Sequence, residues 1–283
     1  MQAPYVLIVK CPDRKGIFAA VSAFLLGEGG SILQSNQFNE DGLFFMRTVF
    51  GGEDAPLAPI QDFREKFRPI AEKFAMSAEF RDSGEIPRVL IAVSKFGHCL
   101  YDLLHRWRSG LLPVEIAGVV SNHDDMRSFV EWNNLPYYYM PVAKGGKQLQ
   151  EGQVLDLVDL LKVNLVVLAR YMQILSPDLC EALAGRCINI HHSFLPSFKG
   201  AKPYHQAHAR GVKMIGATAH YVTTDLDEGP IIAQDARHVT HAFRPDQLVA
   251  LGQEVECAVL SRAVKWHAEH RVLINGQKTI VFD

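Results

Sequence analysis

A change of apolar period across Asp82-Ser83-Gly84-Glu85-Ile86-Pro87 constrains the fold of this chain more than any other feature. Polar residues bounded by Gly and Pro mark a linker, and the patterns on either side of it differ in kind. Before it, the apolar run 5–11 predicts a strand, and Asp13-Arg14-Lys15-Gly16 predicts a turn. Ile17, Phe18, Val21, Phe24 and Leu25 then recur at helical spacing. Strands are expected over 31–38 and 43–50, joined at Glu40-Asp41-Gly42. A helix follows over 59–74, with Ile60, Phe63, Phe67, Ile70 and Phe74 on one side, and a last strand over 76–80. That order, βαββαβ, is ferredoxin-like.

After the linker, strands and helices alternate. Strands are expected at 89–93, 114–120, 136–140, 165–169 and around Asn189, with helices at 100–108, 124–132, 154–161 and 177–183. Such alternation builds a mostly parallel α/β sheet with helices on both faces. Two more strands (215–223, 231–239), a long helix (245–269) and a hairpin turning at Asn275-Gly276 complete it. The expected domains are therefore 1–82 and 88–283, with 83–87 between them.

The 283 residues carry a formal charge of −2 and a pI of about 6.6, so neither nucleic acid nor an anionic membrane is favoured as a partner. A small molecule is. Cys11, Cys99, Cys180, Cys187 and Cys257 are scattered with no Cys-x-x-Cys pair, which argues against a disulfide framework or a thiolate zinc site. No apolar run nears the ~20 residues of a membrane span, and a soluble cytoplasmic protein is expected.

Polar side chains at strand ends are where open α/β sheets place their chemistry. In the strand that carries them, Asn189 and His191 point to one side while Ile190 points to the other. Asp227 lies in a loop opened by Thr223-Thr224-Asp225 and closed by Gly229-Pro230. An amide can donate to an oxygen that becomes negative, an imidazole can move a proton near neutral pH, and a carboxylate can orient both water and ring. Acyl hydrolysis or transfer is the chemistry this set fits. A satisfied structural histidine and a plain turn-forming Asp fit the same residues.

The segment Asn189-Ile190-His191-His192-Ser193-Phe194-Leu195-Pro196, followed by Asp227-Glu228-Gly229-Pro230-Ile231-Ile232, resembles the signature of enzymes that use 10-formyltetrahydrofolate. With His192 where Pro is usual, and with Lys199-Gly200-Ala201-Lys202-Pro203-Tyr204-His205-Gln206-Ala207 after it, the chain is most similar to the formyltetrahydrofolate deformylase family. The resemblance implies a Rossmann-type formyl transferase domain that hydrolyses 10-formyltetrahydrofolate to formate and tetrahydrofolate, supplying formate for purine synthesis and balancing folate pools. Asn189, His191 and Asp227 would be catalytic. Tyr171, Met172, Gln173, Leu175, Ser193 and Leu226 would bind the folate, with no metal and no cofactor beyond the substrate.

The Asp-Arg-x-Gly-Ile opening looks like an ACT domain, a regulatory family whose members often bind amino acids. It implies an effector at Asp13, Arg14, Gly16, Ile17 and Asn36, where free N–H groups of a helix start can hold a carboxylate. A homo-oligomer is expected with it. A dimerisation role without a ligand would use the same fold.

The chain departs from related enzymes in places. Ser94-Lys95-Phe96-Gly97-His98-Cys99 holds a single glycine where the enzyme that formylates glycinamide ribonucleotide has a Gly-rich phosphate loop. Water is then favoured as the acceptor. Gln173 stands where Arg is common, and His192 is given no proton-transfer role. Formyl transfer to an amine, a non-catalytic folate and amino-acid sensor, and a metal-dependent deformylase are the alternatives. His205 and His208, three apart, read as solvated helix positions in the absence of a third ligand at fixed spacing.

Overall fold

A computed structural model describes residues 3–52, 55–192 and 203–283. Contacts divide the chain into two units: up to Ile86 together with Glu269–Leu273 and Ile280–Asp283, and Pro87–Ala268 together with Ile274–Thr279.

In the first unit, β1 (Tyr5–Pro12), α1 (Ile17–Gly27), β2 (Gly30–Glu40), β3 (Leu43–Gly52), α2 (Ile60–Phe74) and β4 (Ser77–Asp82) follow the expected βαββαβ order. The sheet is antiparallel, in the order β2-β3-β1-β4. Leu7, Val9 and Phe50 on one face meet Val21 and Leu25 of α1 and Phe63 and Phe67 of α2. A period-2 apolar face has thereby met two 3.6-period faces. The other face covers itself with the chain's tail. Phe45, with Ile8 and Leu43 beside it, packs against Leu273, Ile280 and Phe282. Arg47, 5% exposed, donates through Nε to the His270 carbonyl (3.0 Å) and through Nη2 to that of Glu269 (2.9 Å). The last apolar residues, expected with 88–283, pack in the core of the first unit.

The second unit runs β5 (Arg88–Val93), α3 (His98–Arg108), β6 (Glu115–Ser121), α4 (Arg127–Trp132), β7 (Tyr137–Tyr139), α5 (Lys147–Leu160), β8 (Leu165–Leu168), α6 (Pro177–Ala182) and β9 (Cys187–His191). Then come α7 (Pro203–Ala209), β10 (Met214–Tyr221), β11 (Ile231–His238) and α8 (Pro245–Ala268). A hairpin of β12 (Val272–Asn275) and β13 (Lys278–Val281), shared between the units, ends the chain. The sheet order is β11-β10-β9-β8-β5-β6-β7, parallel from β9 to β7, with β10 antiparallel to both β9 and β11. It is α/β and mostly parallel.

The helix α5 begins two turns before the expected 154–161. Its buried face carries Gln150 and Glu151, and those polar residues conceal the apolar period. Both are satisfied: Gln150 Nε2 donates to the Tyr171 hydroxyl at 3.0 Å, and Glu151 Oε1 accepts from the Ser176 N–H at 2.9 Å.

From β5 the chain moves to β6 and β7 on one side, then returns to β8 and β9 on the other. The ends of β5 and β8 thus flank a topological switch point, where such sheets open a crevice.

Candidate active site

Asn189 and His191 lie at the exit of β9, on the same face of the strand. Between them Ile190 is buried. Because β10 runs antiparallel to β9, Asn189 is paired across the ladder with His220. From β10 the chain turns through 222–230, and that turn delivers Asp227 to the same spot, in the left-handed backbone region with φ 58°.

Four contacts close the set. His191 Nδ1 lies 3.1 Å from Asp227 Oδ2. Asn189 Nδ2 donates to Asp227 Oδ1 at 3.4 Å and lies 3.3 Å from His220 Nε2, which is itself 3.7 Å from that Oδ1. His220 Nδ1 lies 2.9 Å from the Tyr221 carbonyl, which can only accept, so the proton sits on Nδ1. Burial pushes the Asp227 carboxyl up, but the bond from His191 holds it well below the usual carboxylate range. It stays ionised and is a weak base. Such a carboxylate is suited to orienting a neighbour and stabilising positive charge on an imidazole. Both hydrogens of the Asn189 amide have acceptors, yet at 3.3 and 3.4 Å these are long bonds that a more negative oxygen can displace.

At the switch point lies a cavity of about 420 Å³, counted to its open mouth, with Ala92, Val120, Leu168, Tyr171, Gln173 and Leu175 in its wall. Its walls are mostly apolar, as a flat heterocycle requires, with Gln150, Glu151 and Lys147 as polar groups. Leu168 is the register partner of Asn189, which places cavity and triad at one sheet edge.

Of the expected substrate-binding residues, Tyr171, Gln173 and Leu175 line this cavity. Met172 does not: its side chain is 53% exposed and only its N–H is held, by Ser94 Oγ at 2.9 Å. Leu226, 60% exposed, is also outside the wall. Ser193 lies outside the described residues. At the other expected site, Asp13, Arg14 and Gly16 are exposed, Ile17 is buried, and Asp13 Oδ2 accepts from Asn39 Nδ2 at 2.8 Å. Asn36 Oδ1 is buried without a hydrogen-bond partner.

Several residues near the triad escape a sequence reading. Arg170, in the left-handed region at φ 65°, reaches His192 Nδ1 through Nη1 at 2.6 Å and lies 3.5 Å through Nε from Glu256 of α8. Glu256, 1% exposed, also meets His98 Nε2 at 2.8 Å and the Tyr204 hydroxyl at 2.7 Å. Burial raises its carboxyl, but His98, Arg170 and Tyr204 together keep it below the usual range. Among the described residues, His98, Cys99 and Glu256 form the one group whose ligand atoms could meet on a metal ion, within 4.8 Å of one another. The Arg170 cation beside Glu256 opposes a second positive charge there.

A formyl transferase domain is the class that this fold and site define, and the family model described as formyl transferase matches residues 87–264. Formyltetrahydrofolate deformylase from Corynebacterium sp. (strain P-1) is 50% identical over 282 residues, which is 99% of this chain and 98% of that protein. The crystal structure of a formyltetrahydrofolate deformylase from Pseudomonas syringae pv. tomato superposes with a TM-score of 0.95 at 49% identity, over 100% of this chain and 95% of that one. A glycinamide ribonucleotide transformylase from Symbiobacterium toebii reaches a TM-score of 0.67 at 29% identity, over 72% of this chain and 97% of that one. The chain belongs to the formyltetrahydrofolate deformylase family.

Proposed function

We propose that this chain hydrolyses 10-formyltetrahydrofolate to formate and tetrahydrofolate. The observation that carries the reading is the meeting of Asn189, His191 and Asp227 beside an apolar cavity. The pterin enters the crevice against Tyr171, Gln173 and Leu175, which brings the formyl carbon to the rim. Water held by Asp227 attacks that carbon. The carbonyl oxygen, as it becomes negative, takes the Asn189 amide in place of one of its long bonds. His191, supported by Asp227, receives the proton of the water and passes it to the departing nitrogen. Every step is carried by protein side chains, and the reading includes no metal and no cofactor.

Formate released from 10-formyltetrahydrofolate in buffer, with no amine present, tests it. Formyl transfer only upon addition of an amine would replace it with a transferase. The reading extends to a cytoplasmic homo-oligomer whose first unit takes an amino-acid effector at Asp13, Arg14, Gly16, Ile17 and Asn36. The exposed helix start and the unpaired Asn36 oxygen support that extension. The formate would serve purine synthesis and the folate pools.

A further inference from the structure

His192 follows His191 in the chain, and their rings are stacked, with centroids 4.9 Å apart and planes 21° apart. What touches the outer ring fixes its protonation. Arg170 Nη1 lies 2.6 Å from His192 Nδ1, and a guanidinium has hydrogens to give and no lone pair to accept with. His192 Nδ1 must therefore be bare, and its single proton sits on Nε2. A proton on both nitrogens would set one N–H against another. Arg170 cannot swing away at no cost. Its side chain is only 11% exposed, its Nε lies 3.5 Å from the Glu256 carboxylate, and its guanidinium covers the Phe96 ring at 5.9 Å. Glu256 is anchored in turn by His98 and Tyr204.

We propose that Arg170 and Glu256 act as positioning residues that lock His192 as a neutral plate, protonated on Nε2 alone, against the proton-relaying ring of His191. This rests on the reading of His191 given above. The purpose follows from electrostatics. His191 must turn cationic while it carries the proton, and a second cation stacked on it would oppose that state. Five groups surround His192: Arg170 after β8, His191 on β9, Tyr204 on α7, Asp227 in the loop after β10 and Glu256 on α8. Burial first, then the charges of Arg170 and His191, hold its imidazole down at about 4. The Arg170–Glu256 pair supplies this without leaving a net charge beside the triad.

Two measurements test the proposal. In the 15N-labelled wild-type protein, the His192 ring should show a bare Nδ1 and a protonated Nε2 from pH 8 down to about 5. A protonated Nδ1 at neutral pH would overturn the lock. In Arg170→Met, the charge beside Nδ1 is lost while the burial remains, so the His192 imidazole rises from about 4 and the ratio of variant to wild-type turnover should fall by about threefold or more between pH 7.5 and 5. That fall should vanish in Arg170→Met/His192→Phe. A ratio independent of pH in a folded Arg170→Met protein would overturn the role, and the labelled wild type decides the lock should that variant not fold. Full activity in His191→Ala would instead remove the reading of His191 and leave the His192 spectrum unchanged.

Discussion

Asn189 and His220 stand opposite each other on β9 and β10, amide Nδ2 3.3 Å from imidazole Nε2. The His220 ring is 2% exposed and its far nitrogen is tied to the Tyr221 carbonyl, so it cannot turn away from Asn189 and Asp227. Its bare Nε2 accepts from the amide and fixes it. His220→Phe keeps the ring's volume and removes that acceptor. Turnover is expected to fall by about tenfold or more, with the larger loss in kcat than in KM, read from formate release.

His191→Ala and Asp227→Asn remove the two groups proposed to carry the proton relay. Each should lower turnover at least about a hundredfold while the circular dichroism spectrum stays that of the wild type. Near-normal rates in either would remove the assignment.

Gly229 ends the loop that carries Asp227, and any Cβ there would collide with the Tyr221 carbonyl, the same oxygen that holds His220. Gly229→Ala must therefore shift the loop or the strand end. The expected cost is about 1–3 kcal/mol in stability by urea unfolding, with a fall in turnover of about tenfold.

Acid should destabilise the protein in two stages. His192 and His270 both sit at about 4 in the folded chain, against an ordinary 6.5. Burial is the main cause for each, with Arg170 adding at His192 and Arg81 at His270. Between pH 6.5 and 4 the unfolded chain binds protons at these positions that the folded chain refuses, so stability falls as pH falls. Below pH 4 Asp227 acts in the same direction, since its folded carboxyl is held low and only the unfolded one takes up a proton. Denaturant midpoints measured from pH 7 to 4 should decline, and His270→Phe should flatten part of the first stage.

Activity should survive exhaustive chelation, because the triad needs no ion and Glu256 is already satisfied by His98, Tyr204 and Arg170. Loss of formate release after chelation, restored by added metal, would return the His98, Cys99 and Glu256 cluster to consideration as a metal site.

Much of this was legible in the sequence. Two apolar periods gave the two folds, and residues on one face of one strand gave Asn189 and His191. What stayed hidden depends on register and packing rather than on local pattern. His220 joins the site only because β10 pairs antiparallel with β9. Arg170, Glu256 and His98 come from three separate elements that meet only after the helices dock. Met172 and Leu226, which the resemblance assigns to folate binding, are 53% and 60% exposed, and no local pattern foretells that. The helix α5 was shortened because its inward face is partly polar.

The tail that returns to the first sheet has a practical consequence. A fragment cut at the linker and ending at Ile86 would lack Leu273, Ile280 and Phe282, leaving Phe45 bare and Arg47 without the two carbonyls it serves. Such a fragment is expected to be sticky and poorly folded. A piece of the first unit fit for titration with amino acids needs those final residues grafted back on, because this polypeptide is divided in space at a different place from where its linker divides it in sequence.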